Sequence, residues 1–241
     1  MSRVHIGFLV GGVMALAWQG DARAEQVLAA PAAPAGVTAK EAQDPAHAAW
    51  SSIPESRLRL HRTPPLYSTD PRDDGERPAA SVRLLRLADG ALAVRLQWTD
   101  ATEDLGAASA RYPDQGDAKI YKRHTEQAGR FADGACAMVP RRRGSHDHYP
   151  SMMMGDAANP VDLFYWRAGL GFQKLRAAGR GTVAKAGQRA EGRASWADGR
   201  WSVVFILRQA PARTPICFAL WDGAREQRDG LKYFSLWYEL G

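Results

Sequence analysis

The sequence predicts an all-β fold, an antiparallel β-sandwich with long loops and few short helices. Three observations carry this expectation. Leu92, Val94, Leu96 and Trp98 alternate with Ala91, Ala93, Arg95 and Gln97, the period of two expected of a half-buried strand. Strand-like runs are punctuated by Asp-Gly turns at Asp89-Gly90, Asp198-Gly199 and Asp222-Gly223. No long amphipathic helix competes with them, and many short strands of this kind pack as two facing sheets.

Taken in order, the chain begins with Arg3 and His5 before an apolar run, Ile6–Trp18, followed by the small-x-small pattern Ala22-Arg23-Ala24. This predicts a Sec-type secretory signal peptide over residues 1–24, cleaved after Ala24. The apolar run is too short to be argued as a membrane span, and no later segment is long and apolar enough. The mature chain is therefore expected to be exported and soluble in a bacterial periplasm. Glu25–Ala49, rich in alanine and proline without apolar periodicity, reads as a linker or mobile arm. Residues 50–241, roughly 190 of them, suit one domain with a substantial core.

Loss of Arg3, Asp21 and Arg23 lowers the formal charge only from +6 to about +5. The excess is spread along the chain; Arg141–Arg143 is the one compact run, too short to argue for nucleic acid. It is either a solvated loop or a clamp for carboxylates. The only two cysteines, Cys136 and Cys217, lie in strand-like runs and are read as unpaired core residues, with one disulfide left open. Without Cys-x-x-Cys-His, a covalently attached c-type haem is excluded, and two cysteines cannot ligate an iron–sulfur cluster.

Two hairpins are expected. Ser81–Leu87 leads through Ala88-Asp89-Gly90 into the Leu92–Trp98 strand, and Ala194–Trp196 leads through Asp198-Gly199 into Trp201–Leu207. The last of these is apolar on both faces, so it belongs in the middle of something. Ile216–Trp221 is a further strand, and Lys232–Leu240 closes the chain, with Tyr233, Ser235 and Trp237 alternating with Phe234, Leu236 and Tyr238. Gly169–Arg193 reads as a long basic connection, functional or mobile.

Hydrolytic motifs are absent: there is no Gly-x-Ser-x-Gly elbow and no His-Glu-x-x-His. Acidic residues gather at Asp70–Asp74 and Thr99–Asp104, where solvated turns are expected. The chemistry concentrates in Tyr149–Trp166. Three consecutive methionines, Met152, Met153 and Met154, stand between Pro150 and Gly155, which disfavour a helix. In an extended chain Met152 and Met154 share one face. A thioether offered from a turn beside Phe164, Tyr165 and Trp166 suits a metal or a haem iron in an apolar slot; flexible core filler is the other reading. His146 and His148 could bind metal from one face of an extended segment, or belong to a polar loop. His47, His61 and His124 have no partner at a useful spacing. Lys232 opens the aromatic final strand on the face of Phe234 and Leu236. It is either a lysine that snorkels to solvent or a deprotonated amine donor in an apolar slot.

These pieces resemble the haem b-binding gamma subunits of the periplasmic type II dimethyl sulfoxide reductase family of molybdoenzymes. That group includes ethylbenzene dehydrogenase, dimethyl sulfide dehydrogenase, selenate reductase and chlorate reductase. The resemblance runs through Trp50-x-x-x-Pro54, Leu96-Gln97-Trp98-Thr99-Asp100-Ala101-Thr102, Met154-Gly155-Asp156, Pro160-Val161 and Trp166-Arg167-Ala168. It continues through Gly199–Phe205, Phe218–Gly223, Asp229-Gly230-Leu231-Lys232 and Ser235-Leu236-Trp237. It implies a β-sandwich holding one non-covalent haem b between a methionine and a lysine, here Met154 and Lys232. It also implies electron transfer between an iron–sulfur beta subunit, next to a molybdenum catalytic alpha subunit, and an external carrier such as a periplasmic cytochrome c. The chain itself would then do no substrate chemistry. The tripled methionine makes Met152 an alternative sulfur ligand. Ala135–Pro140 departs from the family's strand ending Phe-Pro, and Arg141–Arg143 stands where a propionate could be paired. A different class, a carbohydrate-binding β-sandwich module without haem, would also suit a chain with eight tryptophans and tryptophan-rich strands.

Overall fold

The computed structural model describes residues 26–63, 75–106, 131–142, 149–187 and 189–241. Two sheets face each other, as an all-β sandwich requires. The smaller contains β2 (Ser56–Leu58), β4 (Ala80–Arg86), β5 (Leu92–Thr99), β10 (Glu191–Ala197) and β11 (Arg200–Leu207), in the order β10-β11-β5-β4-β2. The larger follows β1 (Val27–Leu28), β14 (Tyr238–Leu240), β12 (Pro215–Trp221), β6 (Gly134–Pro140), β7 (Val161–Arg167), β8 (Gly171–Ala177) and β9 (Ala184–Lys185). Two short strands, β3 (His61–Arg62) and β13 (Tyr233–Phe234), attach to it through β12.

Turn chemistry fixes the hairpins. Asp198 and Gly199 have φ of 51° and 67°, the positive pair that a two-residue turn needs to match the twist of β10 and β11. Inward positions of both sheets then meet in the main core, where Trp166 packs against Trp201 edge-on at 4.7 Å and Trp98 stacks on Trp201 at 6.2 Å. Such aromatic pairs add about 0.5–1.5 kcal/mol each beyond the area they bury.

Both sheets are apolar on their outer faces as well, and each outer face is covered. Over the smaller sheet, Leu85, Ala93, Val204 and Ile206 are roofed by Ala33, Val37, Ala42 and Trp50. The expectation of a free linker over Glu25–Ala49 is therefore corrected. From residue 27 onward that segment pairs β1 in parallel with β14, bonds Ala33 to Arg86 through their backbones, and contributes α1 (Ala39–Ala42) and a 3-10 turn (Ala48–Ser52). Small side chains permit this: alanine lies flat on a strand surface without a helical stripe for periodicity to detect.

Two further expectations change. Gly169–Arg193 is no structureless connection, because β8 pairs with β7 along seven residues and β9 pairs with β8. The final strand is not continuous. Between the pairs Ala219–Phe234 and Ile216–Tyr238, β12 advances three residues and its partner advances four, so one extra residue is inserted. Fully buried Ser235 holds this bulge, donating to Leu236 O at 2.8 Å and accepting from Phe218 N at 2.9 Å. The insertion reverses the facing of the residues after it. Tyr238 enters the sandwich core, while Trp237 joins the outer face that carries Lys232.

Candidate functional site

The outer face of the larger sheet is lined by Cys136 and Met138 from β6, Val161, Leu163 and Tyr165 from β7, and Cys217, Ala219 and Trp221 from β12. An apolar face of this breadth needs a cover. Part of it comes from Met152 and Met154, which are partly buried against the cluster, whereas Met153 points away and is 52% exposed. The pairing of Met152 with Met154 expected of an extended chain is thus produced by a turn. Gly155 N donates to Ser151 O at 2.8 Å, Met153 N donates to Ser151 Oγ at 3.2 Å, and Asp156 Oδ1 accepts from Asn159 N at 2.8 Å. Met154 itself has φ of 69°, a left-handed conformation that costs a residue with a side chain about 1–2 kcal/mol. Gly155 follows at φ 75°, and a Cβ there would lie 2.6 Å from Asn159 O.

Lys232 reaches the same face from the other end. Within β12 and β13 its register aligns it with Trp221, which pairs with Gly134 at the start of β6. The methionine turn instead precedes Val161, which pairs with Pro140 at the end of β6 and with Ala177. The methionine turn and Lys232 therefore stand at opposite ends of one face, with Cys136 and Met138 between them. The Lys232 backbone is held by Thr63, whose Oγ1 accepts from Lys232 N at 2.8 Å. Its Nζ donates to Asp229 O at 3.3 Å and lies 5.7 Å from the centre of the Trp221 ring. Trp221 Nε1 donates to the same carbonyl at 3.2 Å. Burial lowers the lysine's pKa and favours the neutral amine. The segment before the methionine turn is also tied to the C-terminal segment: Trp237 Nε1 donates to Pro150 O at 3.0 Å, and Tyr149 stacks on Trp237 at 6.2 Å.

Cys136 and Cys217 are free and buried on neighbouring strands, two residues out of direct register. Burial pushes the Cys136 thiol up to about 12 and raises Cys217 likewise, so both stay protonated and neither offers a thiolate. Arg141 and Arg142 are exposed just beyond β6, whereas Arg143, His146, His148 and His124 lie outside the described residues. His47 caps the 3-10 turn, its Nδ1 accepting from Ala49 N at 3.2 Å. No helix among the described residues is long and apolar enough to cross a membrane.

A second constellation escaped the reading of Thr99–Asp104 as a solvated turn. Oxygens of Asp100, Asp104, Asp133 and Asp222 lie within 4.8 Å of one another where the two sheets meet. Asp133 is fully buried and ties strands together by accepting from Trp201 Nε1 at 2.9 Å, Gly223 N at 2.8 Å and Asp104 N at 2.8 Å. Burial, then the charges of Asp133 and Asp222, push Asp100 up to about 7. No motif flagged Asp133, because an isolated aspartate before a strand looks like any turn residue; the tryptophan that claims it is 68 positions away.

These elements define a class: a β-sandwich with a covered apolar outer face, flanked by thioethers at one end and by a buried lysine at the other. A family profile described as ethylbenzene dehydrogenase matches residues 47–195, and the chain belongs to that family. Among named relatives, a respiratory nitrate reductase heme subunit of Haloferax mediterranei is 30% identical over 214 residues, spanning 82% of this chain and 67% of the relative. The dimethylsulfide dehydrogenase subunit gamma of Rhodovulum sulfidophilum is 28% identical, with 84% and 76% covered. The chlorate reductase subunit gamma of Ideonella dechloratans is 30% identical, with 85% and 81% covered.

Proposed function

We propose that this chain is a periplasmic electron-transfer subunit that holds one non-covalent haem b between Met154 and Lys232. On this reading it passes electrons between the iron–sulfur subunit of a molybdoenzyme and an external carrier such as a cytochrome c. The observation that supports the reading is the placement of the methionine turn and of Lys232 at the two ends of one apolar face. The names of the relatives, a heme subunit and two gamma subunits, support it.

The residues suit the group. Haem needs apolar walls, two donors that are neutral at working pH and no competing thiolate. The face supplies the walls, the thioether carries no charge, burial favours a neutral Lys232, and the raised cysteine pKa values keep both thiols protonated. Bound there, a haem supplies reversible one-electron chemistry at iron. The thioether favours the reduced state, and the more strongly donating amine offsets that preference. Asp229 O accepts from the amine and the Trp221 ring lies beside it, which restricts its position on this face. Held by Met154 and Lys232, such a haem would leave no position for substrate, and the substrate chemistry would belong to the molybdenum subunit.

Export rests on the signal peptide read over residues 1–24, and docking on exposed cations around the β8–β9 edge, among them Arg176, Lys185 and Arg189. Purification from the native periplasm at low ionic strength should recover this chain with molybdenum and iron–sulfur subunits, and raised salt should weaken the association. Recovery of a haem-loaded monomer at every salt concentration would remove the subunit role. A colourless monomer would favour the sugar-binding reading.

A further inference from the structure

The turn that joins β8 to β9 is docked onto the methionine turn. Gly179 N donates to Met154 O at 3.0 Å, so the carbonyl of the proposed sulfur ligand is fixed by the residue that precedes Arg180. The β8–β9 turn is itself closed. Ala178 N donates to Thr182 Oγ1 at 2.8 Å, and that hydroxyl donates back to Gly179 O at 2.6 Å. Gly179 and Gly181 take φ of 116° and 80°, leaving Arg180 as the one residue with a long side chain at the tip. Arg180 is exposed, and no carboxylate among the described residues forms an ion pair with it. Its charge is also felt at Lys232, where it opposes protonation of the amine.

Arg180 thus stands next to a residue hydrogen-bonded to the methionine turn, at the margin of the apolar face. A haem b carries two propionate carboxylates, and a planar guanidinium at a pocket rim is suited to grip a carboxylate through paired N–H donors. We infer that Arg180 binds a haem propionate and so selects the free acid over uncharged porphyrins, locking the β8–β9 turn and the methionine turn around the cofactor. This inference rests on the haem reading given above. It shifts the expected clamp from Arg141–Arg143, which follows β6, to a turn hydrogen-bonded to Met154 itself.

The test titrates the haem-free mature chain with hemin and with hemin dimethyl ester, which has the same ring and iron but no carboxylates. Binding is read from the Soret band. The unsubstituted chain should prefer hemin by about tenfold to a hundredfold, the ratio expected for one charge-assisted pair. Arg180→Ala should weaken hemin binding by that factor, leave the ester unchanged and keep the low-spin spectrum. Arg180→Lys, which keeps the charge without the fork, should restore part of the preference and guards against a folding defect. An undiminished preference for hemin in Arg180→Ala would overturn the inference while leaving the haem reading intact. Absence of a Soret band with both porphyrins in the unsubstituted chain would overturn the haem reading, and this inference with it.

Discussion

Lys232→Ala should lose most of its haem and leave any remainder high-spin. The substitution removes a donor and leaves Asp229 O without the amine that it accepts from. Loss of groups that merely orient a metal ligand costs about tenfold to a hundredfold in affinity, so loss of the ligand itself should weaken hemin binding at least about a hundredfold. Met154→Ala should act in the same direction, because its left-handed backbone, its fixed carbonyl and its contact with the Cys136–Trp237 cluster all present one thioether. Met152→Ala, which removes a neighbour packed on the same face, should leave the low-spin spectrum in place. The visible spectrum of the three variants, with circular dichroism as a check on folding, decides the ligand set. A low-spin spectrum unchanged in both Lys232→Ala and Met154→Ala would remove these ligands; loss confined to Met152→Ala would transfer the sulfur to that residue.

The second large effect is on stability against pH. Asp100 is 7% exposed, and burial with the neighbouring Asp133 and Asp222 charges raises its pKa to about 7. A carboxyl whose pKa is higher folded than unfolded binds its proton more tightly in the folded state. Its contribution is therefore most favourable below about pH 4, declines as pH rises towards 7 and stays at its lower level above that. Asp133, also raised by burial, acts with the same sign. Asp100→Asn removes the charge and keeps one oxygen to accept from Thr102 N, at the cost of the weak 3.4 Å bond from Trp98 Nε1. It should match the unsubstituted chain at pH 4.5 and exceed it by roughly 2–4 kcal/mol at pH 8. Urea midpoints at the two pH values, in chelator-treated buffer so that only protons neutralise the cluster, measure this. Parallel pH profiles for the two proteins would show that Asp100 does not carry the charge burden assigned to it.

The sandwich was legible because period-two alternation and Asp-Gly turns act locally: Leu92–Trp98 and the Asp198-Gly199 turn need no distant partner to declare themselves. Features that depend on remote contacts were not legible. The alanine-rich arm packs by smallness, which leaves no periodic stripe. β8 was hidden because Gly171, Lys174 and Arg176 look like a solvated loop until seven pairs with β7 order them. The bulge at Ser235 turns on one buried hydroxyl, and strict alternation therefore put Trp237 on the wrong face. Within the site, the shared facing of Met152 and Met154 and the inward face of Lys232 could be read from spacing. That the methionine turn and Lys232 share one face of the larger sheet depends on the pairing of β6 with β7 and β12, which spacing does not encode.

The most direct measurement is a titration of the purified, haem-free mature chain with hemin, followed by reduction and exposure to carbon monoxide. Saturation at one equivalent is expected, with a low-spin six-coordinate spectrum in both redox states and slow, incomplete reaction with carbon monoxide because protein side chains fill both axial positions. Failure to develop a saturable Soret band, or a high-spin iron that takes up carbon monoxide at once, would contradict a sealed haem held between a methionine and a lysine.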